Sequence, residues 1–250
     1  MRIKDTVIQS LLFLFYCSSY AVIGKNIDKI ELTAGYSKPP FVIESNERYK
    51  GIQLDLISEI FAVENQSVSF IHIPLARSFS SVKKWHTDGV ITLPISHQQK
   101  DVYLSEPYIS YQNVVVTLSE DDLTIDKLDD LSGKYIIAFQ TARQFLGAAY
   151  SEAIKKAVDY QEVADQMRQI KLLFNKRTQV LVLDINILQH FLFNNRDARY
   201  NKPYKVHQLF APRTYAAGFK SKAIRDQFNR GLAVIKANGK YQEVLDKYLL

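Results

Sequence analysis

The sequence predicts an α/β protein of two lobes with a cleft between them. Strand-like and helix-like stretches alternate twice along the chain, in two units of about ninety residues each. That alternation is the pattern of a largely parallel sheet flanked by helices. Extended segments join the two units, and a separate apolar stretch stands before the first. The 250 residues suffice to bury one large core or two adjoining ones. With 47% hydrophobic and 23% charged residues, the composition is that of an ordinary globular chain, which excludes disordered, collagenous and coiled-coil classes.

Arg2 and Lys4, partly offset by Asp5, precede the apolar run Val7–Tyr16 (VIQSLLFLFY), and Ser19-Tyr20-Ala21 places small residues where a signal peptidase reads them. Residues 1–21 therefore read as a secretory signal. The run is too short to span a bilayer, which needs about 20 apolar residues, and Tyr16 before Cys17 argues against a lipid anchor. Cys17 is the single cysteine, so the exported product is expected to carry no disulfide and to rest on its core alone. No other stretch is apolar and long enough for a membrane helix, so that product is expected to be soluble.

The formal charge of +6 is spread through the chain, with only isolated pairs such as Lys83-Lys84 and Lys176-Arg177, so no nucleic-acid partner is expected. A mildly positive field favours an anionic ligand. His72, His86, His97, His190 and His207 are scattered without metal-ligand spacing. There is no Ser-His-Asp or Cys-His order and no phosphate loop. No catalytic residue, metal or cofactor is expected.

The first unit opens with a strand at Ile30–Gly35, and Tyr36–Phe41 (YSKPPF) must leave it because of two prolines. Ile52, Leu56, Ile60 and Phe61 recur at helical spacing in a helix over Ile52–Val63. Val68–Ile73 alternates as a strand, Ala76–Trp85 is helical, and Gly89–Leu93 is a short apolar strand. Ser105–Tyr108 is a turn, and Tyr111–Leu118 reads as one long β-branched strand. An acidic loop with a short helix, Glu120–Asp130, leads to the second unit. There Lys134–Gln140 is a strand, Thr141–Val158 and Ala164–Phe174 are helices, Gln179–Leu183 is a strand and Ile185–Phe193 a helix. Lys202–Arg213 reads as irregular and Tyr215–Phe219 as a strand. Ala223–Ala237 is an amphipathic helix stopped by Asn238-Gly239, and Lys240–Leu250 is the last helix.

In open α/β sheets ligands bind beyond the carboxyl ends of the strands. That rule selects Tyr36–Phe41, Pro74–Ser78, Thr92–Lys100, Gln140–Arg143 and Asp184. In this order the segments resemble the type 2 periplasmic solute-binding proteins of amino-acid uptake. Pro39-Pro40-Phe41 followed by Gly51-Ile52-Gln53-Leu54-Asp55-Leu56 looks like that family's opening turn and helix start. Asp88-Gly89-Val90, Leu104-Ser105-Glu106-Pro107-Tyr108, Leu131-Ser132-Gly133-Lys134, Asp184 closing an apolar strand, and Asn238-Gly239-Lys240-Tyr241 are similar to its later motifs.

The resemblance implies a type II periplasmic-binding-protein fold, with residues 22–112 plus 212–250 forming one lobe and 113–211 the other, and a hinge between them. It implies a monomer that captures a small polar solute, an amino acid or related small anion or zwitterion, and delivers it to a membrane ABC-type permease. A cyclohexadienyl dehydratase-like enzyme and a ligand sensor acting in trans are the competing readings on the same fold.

A free amino acid needs a cation or backbone donors for its carboxylate and an acid for its ammonium. Asp184 ends an apolar strand, where a carboxylate is costly to bury, and the resemblance makes it the ammonium acceptor; it is equally placed to cap the next helix. The family's arginine for the carboxylate is absent from Ser96–Lys100: counting back from Ser105 puts Gln98 at its position and counting forward from Asp88 puts Lys100 there, and Arg77 in the preceding loop is the other candidate for the role. Thr141 and Arg143 stand where a helix N-terminus favours an anion. Tyr36 and Phe41 are placed to wall the ligand.

Overall fold

The computed structural model describes residues 29–45, 48–74, 77, 86–96 and 100–249. The signal-like segment 1–21, most of the expected helix Ala76–Trp85, and residues 97–99 lie outside them.

In chain order the elements are strands β1 (Lys29–Gly35), β2 (Ile43–Ser45) and β3 (Arg48–Lys50), helix α1 (Ile52–Ala62), and strands β4 (Ser67–Ile73), β5 (Gly89–Pro94), β6 (Tyr103–Leu104), β7 (Ile109–Tyr111), β8 (Asn113–Leu118) and β9 (Tyr135–Phe139). Helices α2 (Ala142–Phe145) and α3 (Ala148–Ala153), strand β10 (Asp159–Val163), helix α4 (Gln166–Phe174), strand β11 (Val180–Asp184), helix α5 (Ile185–Asn194), strands β12 (Tyr204–His207) and β13 (Arg213–Phe219), and helices α6 (Lys222–Ala237) and α7 (Lys240–Asp246) follow.

Two main sheets result. The first runs β4-β1-β5-β13-β6, with β7 also on β13; the second runs β10-β9-β11-β8-β12. β1 is parallel to β4 and β5, and β9 is parallel to β10 and β11. Each sheet also has an antiparallel side, made by β13 in the first and by β8 and β12 in the second. The sheets are therefore mixed where alternation alone predicts parallel ones, because β8 and β13 pair without a helical crossover.

The expected strand Tyr111–Leu118 is divided at Gln112: β7 pairs in the first sheet and β8 in the second. Gln112 at this break is held by its N–H donating to the Asp184 carboxylate (2.7 Å) and by its side-chain amide donating to the Asn113 and Phe210 carbonyls (2.9 and 2.8 Å). The expected helix over Thr141–Val158 is interrupted at Gly147, whose φ of 93° is left-handed. Two sheet edges were not foreseen. β10 (DYQEV) and β12 (YKVH) lie at the ends of the second sheet, where polar residues replace the apolar run of a central strand.

α1 buries Ile52, Leu56, Ile60 and Phe61, the residues that its periodicity selects. Its face meets α6 at close range: a Cβ on Gly231 would lie 2.1 Å from the Ile60 carbonyl oxygen, so only glycine permits this crossing. The N-terminus of α1 is tied to the loop after β1, where the Ile52 and Gln53 N–H groups donate to the Pro40 and Phe41 carbonyls (3.1 and 3.0 Å). Gly51 makes the tie possible. Its φ is 128°, and a Cβ there would stand 2.6 Å from the Phe41 oxygen. Gly51→Ala is expected to cost about 1–3 kcal/mol, seen as a fall of about 2–12 °C in melting temperature. An unchanged melting temperature would mean that the loop is not held in this way.

One apolar cluster runs from β1, α1 and α6 into β8, α4 and β11, so the two sheets share a continuous core. Among the described residues no helix is long and apolar enough to cross a membrane.

Candidate functional site

The carboxyl ends of parallel strands from both sheets converge on one cavity of about 170 Å³. Tyr36, Ser37 and Lys38 enter it just after β1 and Pro74 after β4. Gln140 and Thr141 follow β9, Ala164 follows β10, and Asp184 closes β11. Thr92, Tyr111, Asn113 and Tyr215 contribute from β5, β7, β8 and β13, and Gln166 and Ile187 from the first turns of α4 and α5.

The floor on the first-sheet side is a buried polar network centred on Gln53. Its amide nitrogen donates to the Thr92 hydroxyl (2.7 Å) and the Tyr108 hydroxyl (3.0 Å), and its carbonyl accepts from the Tyr111 hydroxyl (3.0 Å). Tyr108 donates in turn to the Ile91 carbonyl (2.6 Å). A fully satisfied network of this kind fixes the Tyr111 ring in one orientation. Phe41 lies beneath that ring, at 4.1 Å between centroids.

Asp184 is 3% exposed and caps α5. One carboxylate oxygen accepts from the Asn186 and Ile187 N–H groups (2.9 and 3.3 Å), the other from Gln112. Burial pushes its pKa up to about 6, against the pull of these three donors and of Lys38. Lys38 faces the same cavity. Its ammonium stands 4.2 Å from the Tyr111 ring centroid and 5.6 Å from that of Phe41. Burial lowers its pKa to about 8, opposed by the charge of Asp184. Near pH 7 Asp184 and Lys38 thus face the cavity with opposite charges.

Of the residues singled out from sequence, Tyr36, Thr141 and Asp184 line the cavity. Phe41 does not: at 1% exposure it is core, and Tyr111 presents the aromatic face instead. Arg143 is exposed outside the cavity, with its guanidinium 5.1 Å from the Tyr160 ring centroid. The backbone donors expected to receive an anion there already have one, because the Thr141 and Arg143 N–H groups donate to the Glu162 carboxylate (2.8 and 2.7 Å). Arg77 and Lys100 are exposed and are not lining residues. Lys38 was missed although it sits in the loop the sequence selected, between Tyr36 and Pro39-Pro40.

A mixed two-sheet α/β fold with a largely apolar cavity at the strand ends, carrying a few convergent polar groups, is an arrangement suited to holding a small solute. Residues 30–250 match the bacterial extracellular solute-binding proteins, family 3, and the chain belongs to that family. It is 24% identical over 256 residues to the ABC transporter arginine-binding protein 1 of Escherichia coli K12, covering 98% of each chain. It is also 24% identical over 221 residues to the arginine-binding periplasmic protein of Mannheimia haemolytica, covering 85% of this chain and 88% of that one. Among solved structures, an ancestral arginine-binding protein bound to arginine superposes with a TM-score of 0.72 at 20% identity, over 88% of this chain and 97% of the other. The architecture is the type II periplasmic-binding-protein fold.

Proposed function

We propose that this protein is the exported capture component of an ABC-type uptake system. It holds a small polar solute, an amino acid or a related small anion or zwitterion, in the cavity between its two sheets and passes it unchanged to a membrane permease. The observation that carries this reading is the cavity itself: strand ends from both sheets close around it, and one lysine and one aspartate face into it. The names of the curated relatives support a transport role over an enzymatic one.

In this proposal residues 1–21 direct export to the periplasm, residues 22–112 with 212–250 and residues 113–211 are the two lobes, and the monomer closes by bending where the chain passes between sheets, at Gln112 and between β12 and β13. Tyr36, Thr141 and Asp184 from the sequence reading, with Lys38, Tyr111 and Asn113, surround the solute.

A thermal-shift screen of small polar solutes tests it. A ligand at a hundred times its Kd is expected to stabilise the fold by about 2.7 kcal/mol. A flat response to amino acids, small carboxylates and short peptides would exclude the proposal.

A further inference from the structure

We propose that Lys38 occupies the position of a ligand ammonium, so that the cavity takes a small carboxylate that carries no ammonium next to its acid group and rejects cationic amino acids. The proposal rests on the cavity being the solute site. Three observations lead to it.

The Lys38 backbone is fixed in the loop: its N–H donates to the Val42 carbonyl (2.6 Å), and its carbonyl accepts from the Phe41 and Val42 N–H groups (2.9 and 3.0 Å). Its ammonium is therefore delivered over the Tyr111 and Phe41 rings on the cavity side of the loop. A cation over aromatic faces and near an acid is how a cationic ligand is held; here the chain supplies the cation.

The acid, meanwhile, is largely committed. Asp184 accepts three backbone N–H bonds, which leaves about one of its roughly four lone-pair sites for a ligand donor. The Lys38 ammonium is committed to nothing comparable. Among the described residues it makes no hydrogen bond and no ion pair within 4.0 Å, and it has three N–H donors to give.

The charge balance argues against a cationic ligand. An arginine or a lysine entering this space would bring a second cation beside Lys38, with Asp184 the one carboxylate to share among the described lining residues. A carboxylate would instead give Lys38 a charge-assisted partner, a bond about twice as strong as a neutral one. Gln166, whose buried side-chain oxygen has no partner, lines the same cavity and can accept from a hydroxyl or N–H elsewhere on the ligand, not from its carboxylate.

Titration calorimetry with matched pairs tests the proposal: succinate against L-aspartate and glutarate against L-glutamate, which differ only in the ammonium group, with L-arginine as the cationic probe. The wild type is expected to bind at least one dicarboxylate about tenfold or more tightly than its amino-acid partner, and to give no heat with L-arginine. Lys38→Met, which keeps the stem and removes the charge, is expected to lose that dicarboxylate preference and to gain affinity for the ammonium-bearing ligands. Lys38→Gln serves the same comparison if the methionine variant does not fold. Wild-type binding of L-arginine or of an amino acid as tight as its dicarboxylate partner would overturn the inference and leave the solute-binding role standing. Silence of wild type and variant toward all five probes would also overturn the inference, while the broader thermal-shift screen decides the solute-binding role on its own.

Discussion

Phe228→Ala is expected to cost about 3–5 kcal/mol, a large share of the roughly 5–15 kcal/mol that holds a domain together. Phe228 is fully buried on α6, with its ring 5.8 Å from Phe61, 5.6 Å from Tyr108 and 5.4 Å from Phe219. These neighbours come from α1, the turn before β7, and β13, so the ring fills the space in which three segments of the first sheet's layer meet. The space cannot collapse easily. Gly231, one turn further along α6, already brings the helix against the α1 backbone. Truncation leaves a cavity whose walls are held apart, which is the costly case. Tyr108 also belongs to the network under the cavity, so, if the proposed site is the cavity, the loss reaches it as a weaker ligand-dependent stabilisation. Urea unfolding measures the first effect. A loss below about 1 kcal/mol would mean that this part of the core is not packed as described.

The second large effect is a pH dependence carried by Asp184. Its folded-state pKa, about 6, is higher than that of an aspartate in the unfolded chain, near 4. The folded state therefore binds the proton more tightly. The stability this confers is complete below the unfolded value and is lost as the pH rises through the folded one. Between about pH 4 and pH 6 the unliganded wild type should lose on the order of 2–3 kcal/mol that Asp184→Asn does not lose. Asparagine keeps an oxygen for the cap of α5 but turns its amide NH2 toward the Gln112 N–H, a penalty independent of pH. The quantity to compare is accordingly the change in the stability difference with pH. Parallel stability curves for the two proteins from pH 4 to pH 7 would show that the carboxylate is not buried at this cost. Lys38 acts in the opposite sense at the alkaline end. Its lowered pKa means that stability is lost as the pH falls through about 8 and is fully present only above the ordinary lysine range.

How much of this was legible in the sequence depended on whether a residue's environment is set locally. α1 and the apolar strand ending in Asp184 follow from periodicity and from a carboxylate placed at the end of VLVL. β10 and β12 were not readable, because an edge strand buries too little to impose an apolar pattern; Asp159, Gln161 and Glu162 remain exposed within a paired strand. The division of the strand at Gln112 was hidden because YQNVVVTL has uniform β character, and only the pairing partners differ on its two sides. The site shows the same split. The loop Tyr36–Phe41 was selected by its place after a strand, yet within it Phe41 turns into the core and Lys38 into the cavity. A lysine is an exposed residue by default. What takes this one inward is the distant arrival of Tyr111 and Asp184, which no local pattern announces. Likewise the backbone donors at Thr141 and Arg143, expected to receive a ligand anion, donate to Glu162, brought alongside by the unforeseen β10.

The central claim is that this cavity captures a solute. Ser37 is an exposed lining residue at its mouth, so Ser37→Trp should fill the opening without touching the core. Calorimetric titration of wild type and this variant with whichever solute stabilises the wild type is the most direct measurement. One-to-one binding in the wild type, lost in a variant of unchanged melting temperature, is the predicted result; equal binding by both proteins would place the solute elsewhere and contradict the account.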